Sequence, residues 1–363
     1  MKLLFAIKSL AGSGGGAERV LADVASELAR RGHAVTVVSF DTVDADFYPF
    51  ESKVKRARLG IGRSDRPSGP LEILRRVRAI RTFATRARPD VAVGFMHSIY
   101  LPLGFSLAGT GIPVVASEHI VFQHYRTVPF QQLLVRLTPL LADRMVVVSE
   151  FARRSFPAAM QALMAIIPNP VAIPTPRERE GAGHRLVLNV GRLEKQKNQR
   201  TLVAAFAALA PDYPDWRLRI VGEGPERPAL ERQVERLGLA SRVELPGVRR
   251  DIAAEYAAAD IFVMPSIYES FGLATAEALA FRVPAVGFAD CPGTNELIQD
   301  GRNGILVGGP DAVHALAEGL SRLMDSAPLR AQLGQAGPDS VRRFSLAAVA
   351  DRWEEVLRTV AAR

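Results

Sequence analysis

The chain has one cysteine, Cys291, among 363 residues. An intramolecular disulfide framework is therefore excluded, and a lone thiol fits a reducing compartment, so a cytoplasmic location is expected. Long apolar runs are also missing. No stretch approaches the ~20 residues that span a bilayer. The opening MKLLFAIKSL is too short in apolar residues for a signal peptide and leads into a glycine loop, so it reads as a first buried strand. Low-complexity tracts are absent, which excludes extended disorder. Aromatic residues make up 7%, with two tryptophans, and do not interleave with basic residues. Without that interleaving or a recognisable binding motif, a formal charge of +8 does not indicate nucleic acid.

The hydrophobic fraction of 48% is ordinary, and the length suits two domains of roughly 150–200 residues. Charge divides unevenly between them. Residues 1–170 hold 22 Lys and Arg against 13 Asp and Glu, a net of +9, whereas the remainder holds 24 against 25. Arginines cluster in LEILRRVRAIRTFATRARP, where Ile73, Val77, Ile80, Ala84 and Ala87 recur at helical spacing as one apolar stripe. Arg75, Arg76, Arg78, Arg81, Arg86 and Arg88 surround it. Such a helix can pack on its own domain while offering the Arg75–Arg88 face to an anionic membrane surface.

Strand and helix signals alternate along the chain. Leu3–Ile7, Val35–Phe40, Val91–Phe95, Val114–Ser117 and Met145–Val148 read as strands, with a helix at Ala17–Arg31 ended by Gly32. IPNPVAIPTPREREGAGHR then interrupts with four prolines and reads as a linker. Alternation restarts with strands at Leu186–Val190, Leu218–Val221, Val243–Leu245, Ile261–Met264 and Ala285–Phe288, and helices at Leu202–Leu209 and Leu230–Leu237. The expected fold is α/β: two doubly wound, Rossmann-like domains, 1–170 and 171–345, facing across a cleft. A last helix, about 346–363 with Trp353, Val356 and Val360 on one side, is expected to pack back on the first domain.

The motif richest in chemistry is YESFGLATAEALA, in which Glu269 lies in a loop after a strand and Glu277 eight residues on, in a helix. Glu277 is the only charged group between Leu273 and Phe281, beside a face that should be buried, and a lone carboxylate there needs hydrogen-bond donors. The helix opens near Gly272 and Leu273, and free amides at a helix N-terminus attract phosphate. Read structurally, the same pair is a capping and a surface glutamate. GRLEKQKN places Arg192 and Lys197 five residues apart, with Asn198 as a candidate N-cap, so a forked and a compact cation would meet a diphosphate. Gly222-Glu223-Gly224-Pro225 reads as a structural turn. His119, in ASEHI, lies at a strand end. The Gly12–Ala17 loop also satisfies G-x-G-x-x-A, with Asp41 where a dinucleotide's ribose carboxylate would lie, leaving an NAD(P)-dependent oxidoreductase as an alternative. A non-catalytic nucleotide-sugar-binding regulator is another.

Together GGGAERV, SEH, VVVSE, IPNPV, GRL-x3-K, GEGP and ESFGLATAE resemble the retaining GT-B glycosyltransferases of family 4 from Met1 almost to the C-terminus. The resemblance implies transfer of a hexose or hexosamine from a nucleoside-diphosphate sugar, UDP-sugar favoured and GDP-sugar next, to a lipid-linked or envelope glycan. It implies that cations stand in for a metal, so no metal or cofactor is expected. Arg192 and Lys197 would hold the diphosphate and Glu277 the ribose hydroxyls. Glu269, with the amides of Phe271, Gly272 and Leu273, would hold the transferred sugar and phosphate. Val248 would lie near the base, Gly15 and Gly16 would line the phosphate and acceptor side, and His119 would contact the sugar. The D-x-D triplet Asp44-Ala45-Asp46, the metal-binding signature of a different glycosyltransferase fold, reads here as a surface loop.

Overall fold

A computed structural model describes residues 1–11, 15–61, 69–174 and 185–362. The chain divides into two compact units, 1–170 with 346–363, and 171–345.

The first unit runs β1 (Lys2–Ala6), α1 (Gly16–Arg30), β2 (Ala34–Ser39), β3 (Lys55–Arg58), α2 (Pro70–Ala87), β4 (Val91–Phe95), α3 (His97–Leu107), β5 (Val114–Glu118), α4 (Pro129–Arg136), α5 (Thr138–Leu141), β6 (Arg144–Val147), α6 (Glu150–Ser155), α7 (Ala158–Gln161) and β7 (Met164–Ile166). Its seven strands lie in the order β3-β2-β1-β4-β5-β6-β7, every neighbouring pair parallel. Strands buried on both faces read as unbroken apolar runs, as LLFA and VAV do. β3, Lys-Arg-Ala-Arg, lacks that pattern because it is the sheet edge, where charge blocks further pairing.

The second unit runs β8 (Arg185–Val190), α8 (Gln199–Leu209), β9 (Trp216–Val221), α9 (Arg227–Arg236), β10 (Val243–Gly247), α10 (Ile252–Ala258), β11 (Ile261–Met264), α11 (Leu273–Ala280), β12 (Ala285–Phe288), β13 (Gly304–Val307), α12 (Ala312–Asp325) and α13 (Ala327–Val341). Its parallel six-stranded order is β10-β9-β8-β11-β12-β13. Both orders reverse beside their first strand, between β1 and β4 and between β8 and β11. Ligands of open α/β sheets bind at that reversal, outside the carboxyl ends of the strands.

The final helix, α14 (Leu346–Ala361), belongs to the first unit. Trp353 packs against the rings of Phe5 and Phe95, with centroids 6.4 and 6.1 Å away. Arg31 meets Asp351 at 2.6 Å, and His33 meets Glu354 at 3.0 Å.

Three expectations need correction. In α2 only Ile80 and Ala84 of the proposed stripe are buried; Ile73 is 47% exposed and Ala87 is exposed. The inward face instead carries Arg76, whose guanidinium lies 4.8 Å from the Phe40 ring centroid, bonds Ile61 O and pairs with Glu72 at 2.7 Å. Cation–π contact and a paired carboxylate let an arginine stand where spacing alone called for an apolar residue. Second, part of the proposed linker is core: Ile167 and Val171 are buried, and Val171 N–H bonds Phe344 O at 2.8 Å. Residues 175–184 of that segment lie outside the described residues. Third, Asn198 caps no backbone amide of α8. Its left-handed φ of 52° goes with a carboxamide bonded to the Thr201 hydroxyl at 2.8 Å.

Candidate active site

In the second unit, Lys197 follows β8 and Glu269 follows β11, so the two come from either side of the topological reversal. Lys197 Nζ reaches both carboxylate oxygens of Glu269, at 2.7 and 3.0 Å. Ser266 Oγ donates to Oε1 at 2.6 Å. The Glu269 side chain is 8% exposed and that of Lys197 17%, so the pair is largely withdrawn from water yet open on one side.

The backbone around them is tied from three directions. Ile267 N–H bonds Gln196 O at 2.9 Å, Gln196 donates to Tyr268 O, and Glu269 N–H bonds Pro292 O at 2.8 Å. Gly293 sits so close that a β-carbon there would meet Glu269 O at 2.2 Å, so the loop after β12 presses on the glutamate only because this residue has no side chain. Gly272, with φ of 83°, turns the chain into α11, whose open end follows Glu269 directly. A left-handed residue at this point favours glycine.

Glu277 is one turn into α11 and 5% exposed, and its Oε2 accepts the Tyr256 hydroxyl at 2.8 Å. Tyr256 belongs to α10, so α10 and α11 meet there. Val248, 43% exposed, lies in the loop between β10 and α10. Arg192 stands apart: its side chain is 68% exposed and pairs with Glu194 at 3.0 Å. Its carbonyl, accepting from Gln199 at 3.0 Å, anchors the loop. Leu193 N–H bonds Glu223 O at 2.9 Å, so the glycine turn after β9 braces the Arg192 loop.

The first unit gathers a second set at the carboxyl ends of its strands. The His119 ring stacks on Phe95 at 5.3 Å, and its Nε2 lies 3.0 Å from Ser117 Oγ. Burial pushes its pKa down to about 4, so the imidazole is neutral at physiological pH and exchanges hydrogen bonds rather than charge. The preceding Glu118 is fully buried. Its Oε1 accepts the His119 and Ile120 amides at 2.9 and 3.0 Å, and its Oε2 accepts Tyr100 and Tyr125 hydroxyls at 3.0 and 2.7 Å. Burial raises its pKa to about 7 against those donors. Tyr125 also lies 2.9 Å from His97 Nδ1. Gly15 and Gly16 open α1, and the Glu18 carboxylate folds back over Gly15, where a β-carbon would meet Oε2 at 2.3 Å. An anion approaching that helix end must displace Glu18.

Ser266, Tyr256, Glu118, Tyr100 and Tyr125 were not apparent from sequence. Ser266 follows β11 directly, a position that could have marked it; the tyrosines carry no local signal. The dinucleotide alternative is not supported. Asp41 is buried, its Oδ1 accepting Ser9 Oγ at 2.5 Å and its Oδ2 the Leu10 amide at 2.6 Å, so it braces its own loop. Gly12–Gly14 of that motif lie outside the described residues. The D-x-D carboxylates are held by arginines: Asp44 by Arg58 at 2.8 Å, and Asp46 by Arg56 and Arg58 at 2.6 Å each. Among the described residues no cluster of three or more His, Cys, Asp or Glu could hold a metal ion, and no helix is long and apolar enough to cross a membrane.

Two Rossmann-like units with these loops define a GT-B glycosyltransferase. The family model for glycosyltransferase family 4 matches residues 14–173, and that for glycosyl transferases group 1 matches residues 175–340. The chain belongs to the group 1 glycosyltransferases, and it is an enzyme of that class. It is 32% identical to an exopolysaccharide phosphotransferase of Streptomyces coelicolor over 79% of its own length, spanning only 30% of that protein. It is 25% identical, over 99% of both chains, to a Campylobacter jejuni α-1,4-N-acetyl-D-galactosaminyltransferase acting on a diNAcBac-PP-undecaprenol-linked glycan. The crystal structure of Anabaena HepE with UDP and glucose superposes with a TM-score of 0.80 and 23% identity, covering 99% of both chains.

Proposed function

We propose that the enzyme moves a hexose or hexosamine, with retention, from a nucleoside-diphosphate sugar to a lipid-linked or envelope glycan. UDP-sugar is the first choice and GDP-sugar the second. The reading is carried by the Lys197–Glu269–Ser266 cluster at the β8/β11 reversal, beside the open end of α11. Lys197 meets the developing diphosphate charge, as a preorganised cation should. Arg192, already exposed, swings to the same phosphates. The amides of Phe271, Gly272 and Leu273 complete the phosphate site, and Glu269 is left to hold the sugar. Glu277, oriented by Tyr256, takes the ribose hydroxyls, and Val248 borders the base. On the first unit, neutral His119 contacts the sugar, and Gly15 and Gly16 face phosphate and acceptor. These cations serve in place of a metal.

UDP and glucose in the Anabaena structure and the undecaprenol-linked substrate of the Campylobacter relative support the donor and acceptor classes. The exposed arginines of α2, Arg75 and Arg78 foremost, meet an anionic membrane on the cytoplasmic side. A melting screen against UDP-, GDP- and ADP-sugars tests the donor: a ligand at 100 times its Kd adds about 2.7 kcal/mol. No shift with any of the three sinks the reading, and a shift with NAD(P)H alone revives the oxidoreductase.

A further inference from the structure

The first unit also carries an apolar ridge at α4 and α5. Phe130, Leu133 and Leu140 are 70%, 59% and 81% exposed, flanked by Val128 at 39%. With half-buried Leu137 at the break between the helices, positions 130, 133, 137 and 140 form one stripe at helical spacing. The opposite side is anchored, since Val135 and Thr138 are fully buried. On α3, Gly104 packs so tightly that a β-carbon would meet Leu141 O at 2.5 Å, so α3 lies against α5, and the next residue, Phe105, is 49% exposed. Single exposed apolar side chains are ordinary on a surface; several large ones along one stripe mark an interaction site.

Charge identifies the occupant. From residue 91 to 142 the only acid is Glu118, and it is 0% exposed. Arg126 is exposed just before the ridge and Arg136 within it, its guanidinium 5.9 Å from the Phe122 ring centroid, and Arg81 reaches Ser106 O and Ala108 O beside Phe105 at 2.7 and 3.1 Å. We propose that this ridge enters the headgroup region of an anionic phospholipid bilayer, with Phe130, Leu133 and Leu140 at the acyl boundary and Arg126 and Arg136 on lipid phosphates. Amphipathic segments of this composition lie in the interface plane. A second copy of the chain is a poor occupant, because it would bring two basic faces together. The inference deepens the membrane-side reading of the acceptor, while lipid binding needs no sugar chemistry.

The test uses the full chain without donor. Wild type should co-sediment with phosphatidylglycerol vesicles and not with phosphatidylcholine alone, and binding should weaken as salt rises. Phe130→Ser/Leu133→Ser/Leu140→Ser should lower the bound fraction by roughly tenfold or more while leaving nucleotide-sugar binding intact. Arg126→Gln/Arg136→Gln should reduce binding and its salt dependence. Because Trp216 and Trp353 are buried, Phe130→Trp adds a reporter whose emission should be quenched by acyl-brominated vesicles. This last readout stands even if the triple variant folds poorly. The proposal is overturned if wild type ignores anionic vesicles at low salt, if a folded triple variant binds equally, if bromolipid leaves Phe130→Trp unquenched, or if the ridge instead forms a dimer that the triple variant abolishes. None of those outcomes bears on donor turnover, which is measured separately.

Discussion

Lys197 and Glu269, 72 residues apart in sequence, meet in a two-point contact of 2.7 and 3.0 Å across the point where the second sheet reverses its strand order. Ser266 donates to the carboxylate oxygen that Lys197 approaches most closely. A diphosphate bound as proposed would compete with Glu269 for the same ammonium. On the proposed reading Lys197 therefore serves the resting fold as well as the transferred charge.

Arg192 and Lys197 should consequently separate in stability while agreeing in activity. Lys197→Ala leaves a nearly buried carboxylate short of its cation, which costs about 3 kcal/mol or more in comparable buried pairs. Arg192→Ala removes a 68% exposed side chain and should stay within about 0.5 kcal/mol of wild type. Both should raise the barrier to transfer by about 2.7–4 kcal/mol. Denaturant titration and donor turnover check the two halves; equal melting of the variants, or wild-type turnover in both, contradicts the assignment.

Tyr256→Phe should weaken donor binding without entering the chemistry. The tyrosine holds Glu277 Oε2 at 2.8 Å, and a hydrogen bond to a charged group contributes about 1.5–3 kcal/mol. The expected signature is a raised KM at near-constant kcat, with Glu277→Gln moving in the same direction. A fall in kcat alone would place Tyr256 at the reacting centre instead.

Sequence legibility followed burial. The central strands Val91–Phe95, Ile261–Met264 and Ala285–Phe288 were readable to the residue because both faces are covered, leaving unbroken apolar runs. The edge strand Lys55–Arg58 was not, since its charges oppose further pairing rather than build a core. Glu269 and Lys197 could be nominated from loop motifs, but their contact could not, because it depends on the sheet bringing β8 beside β11. Arg76 misled for a related reason: helical periodicity marks a face, and cation–π contact with Phe40 lets a charge occupy it.

Stability of the first unit should carry the titration of Glu118. Burial raises its folded pKa to about 7 from 4.5, outweighing the Tyr125, Tyr100 and backbone donors. Between those values the folded chain keeps a proton that the unfolded chain has lost. The contribution is thus complete at low pH and is lost as pH climbs through 7. Glu118→Gln removes the titration, so its melting temperature relative to wild type should rise between about pH 5.5 and about pH 8.5. His97 and His119, both lowered to about 4 chiefly by burial, act in the opposite sense below 6.5: stability falls as pH drops from 6.5 toward 4. They are common to both proteins. A pH-independent gap would show that Glu118 does not titrate in this range.

Transfer should proceed unchanged in EDTA. The donor phosphates are assigned two side-chain cations, Lys197 and Arg192, and the α11 amides, which together can offset the charge that a divalent ion offsets elsewhere. The triplet that spells a metal site, Asp44-Ala45-Asp46, is already committed: Arg58 holds Asp44 at 2.8 Å, and Arg56 and Arg58 hold Asp46 at 2.6 Å each. Recruiting these carboxylates to a cation would break three ion pairs on the edge strand. Asp46→Asn should accordingly lower stability, because the Asp46 side chain is 12% exposed and its loss leaves Arg56 and Arg58 without it, and should leave turnover per folded molecule unaltered. Asp44→Asn, at a 93% exposed side chain, should change neither. Turnover is read with a nucleotide sugar in chelator and again with added Mg²⁺ or Mn²⁺. A rate abolished by EDTA and restored by either ion, or an Asp44→Asn variant inactive although folded, would replace the cation-only mechanism with a metal-assisted one.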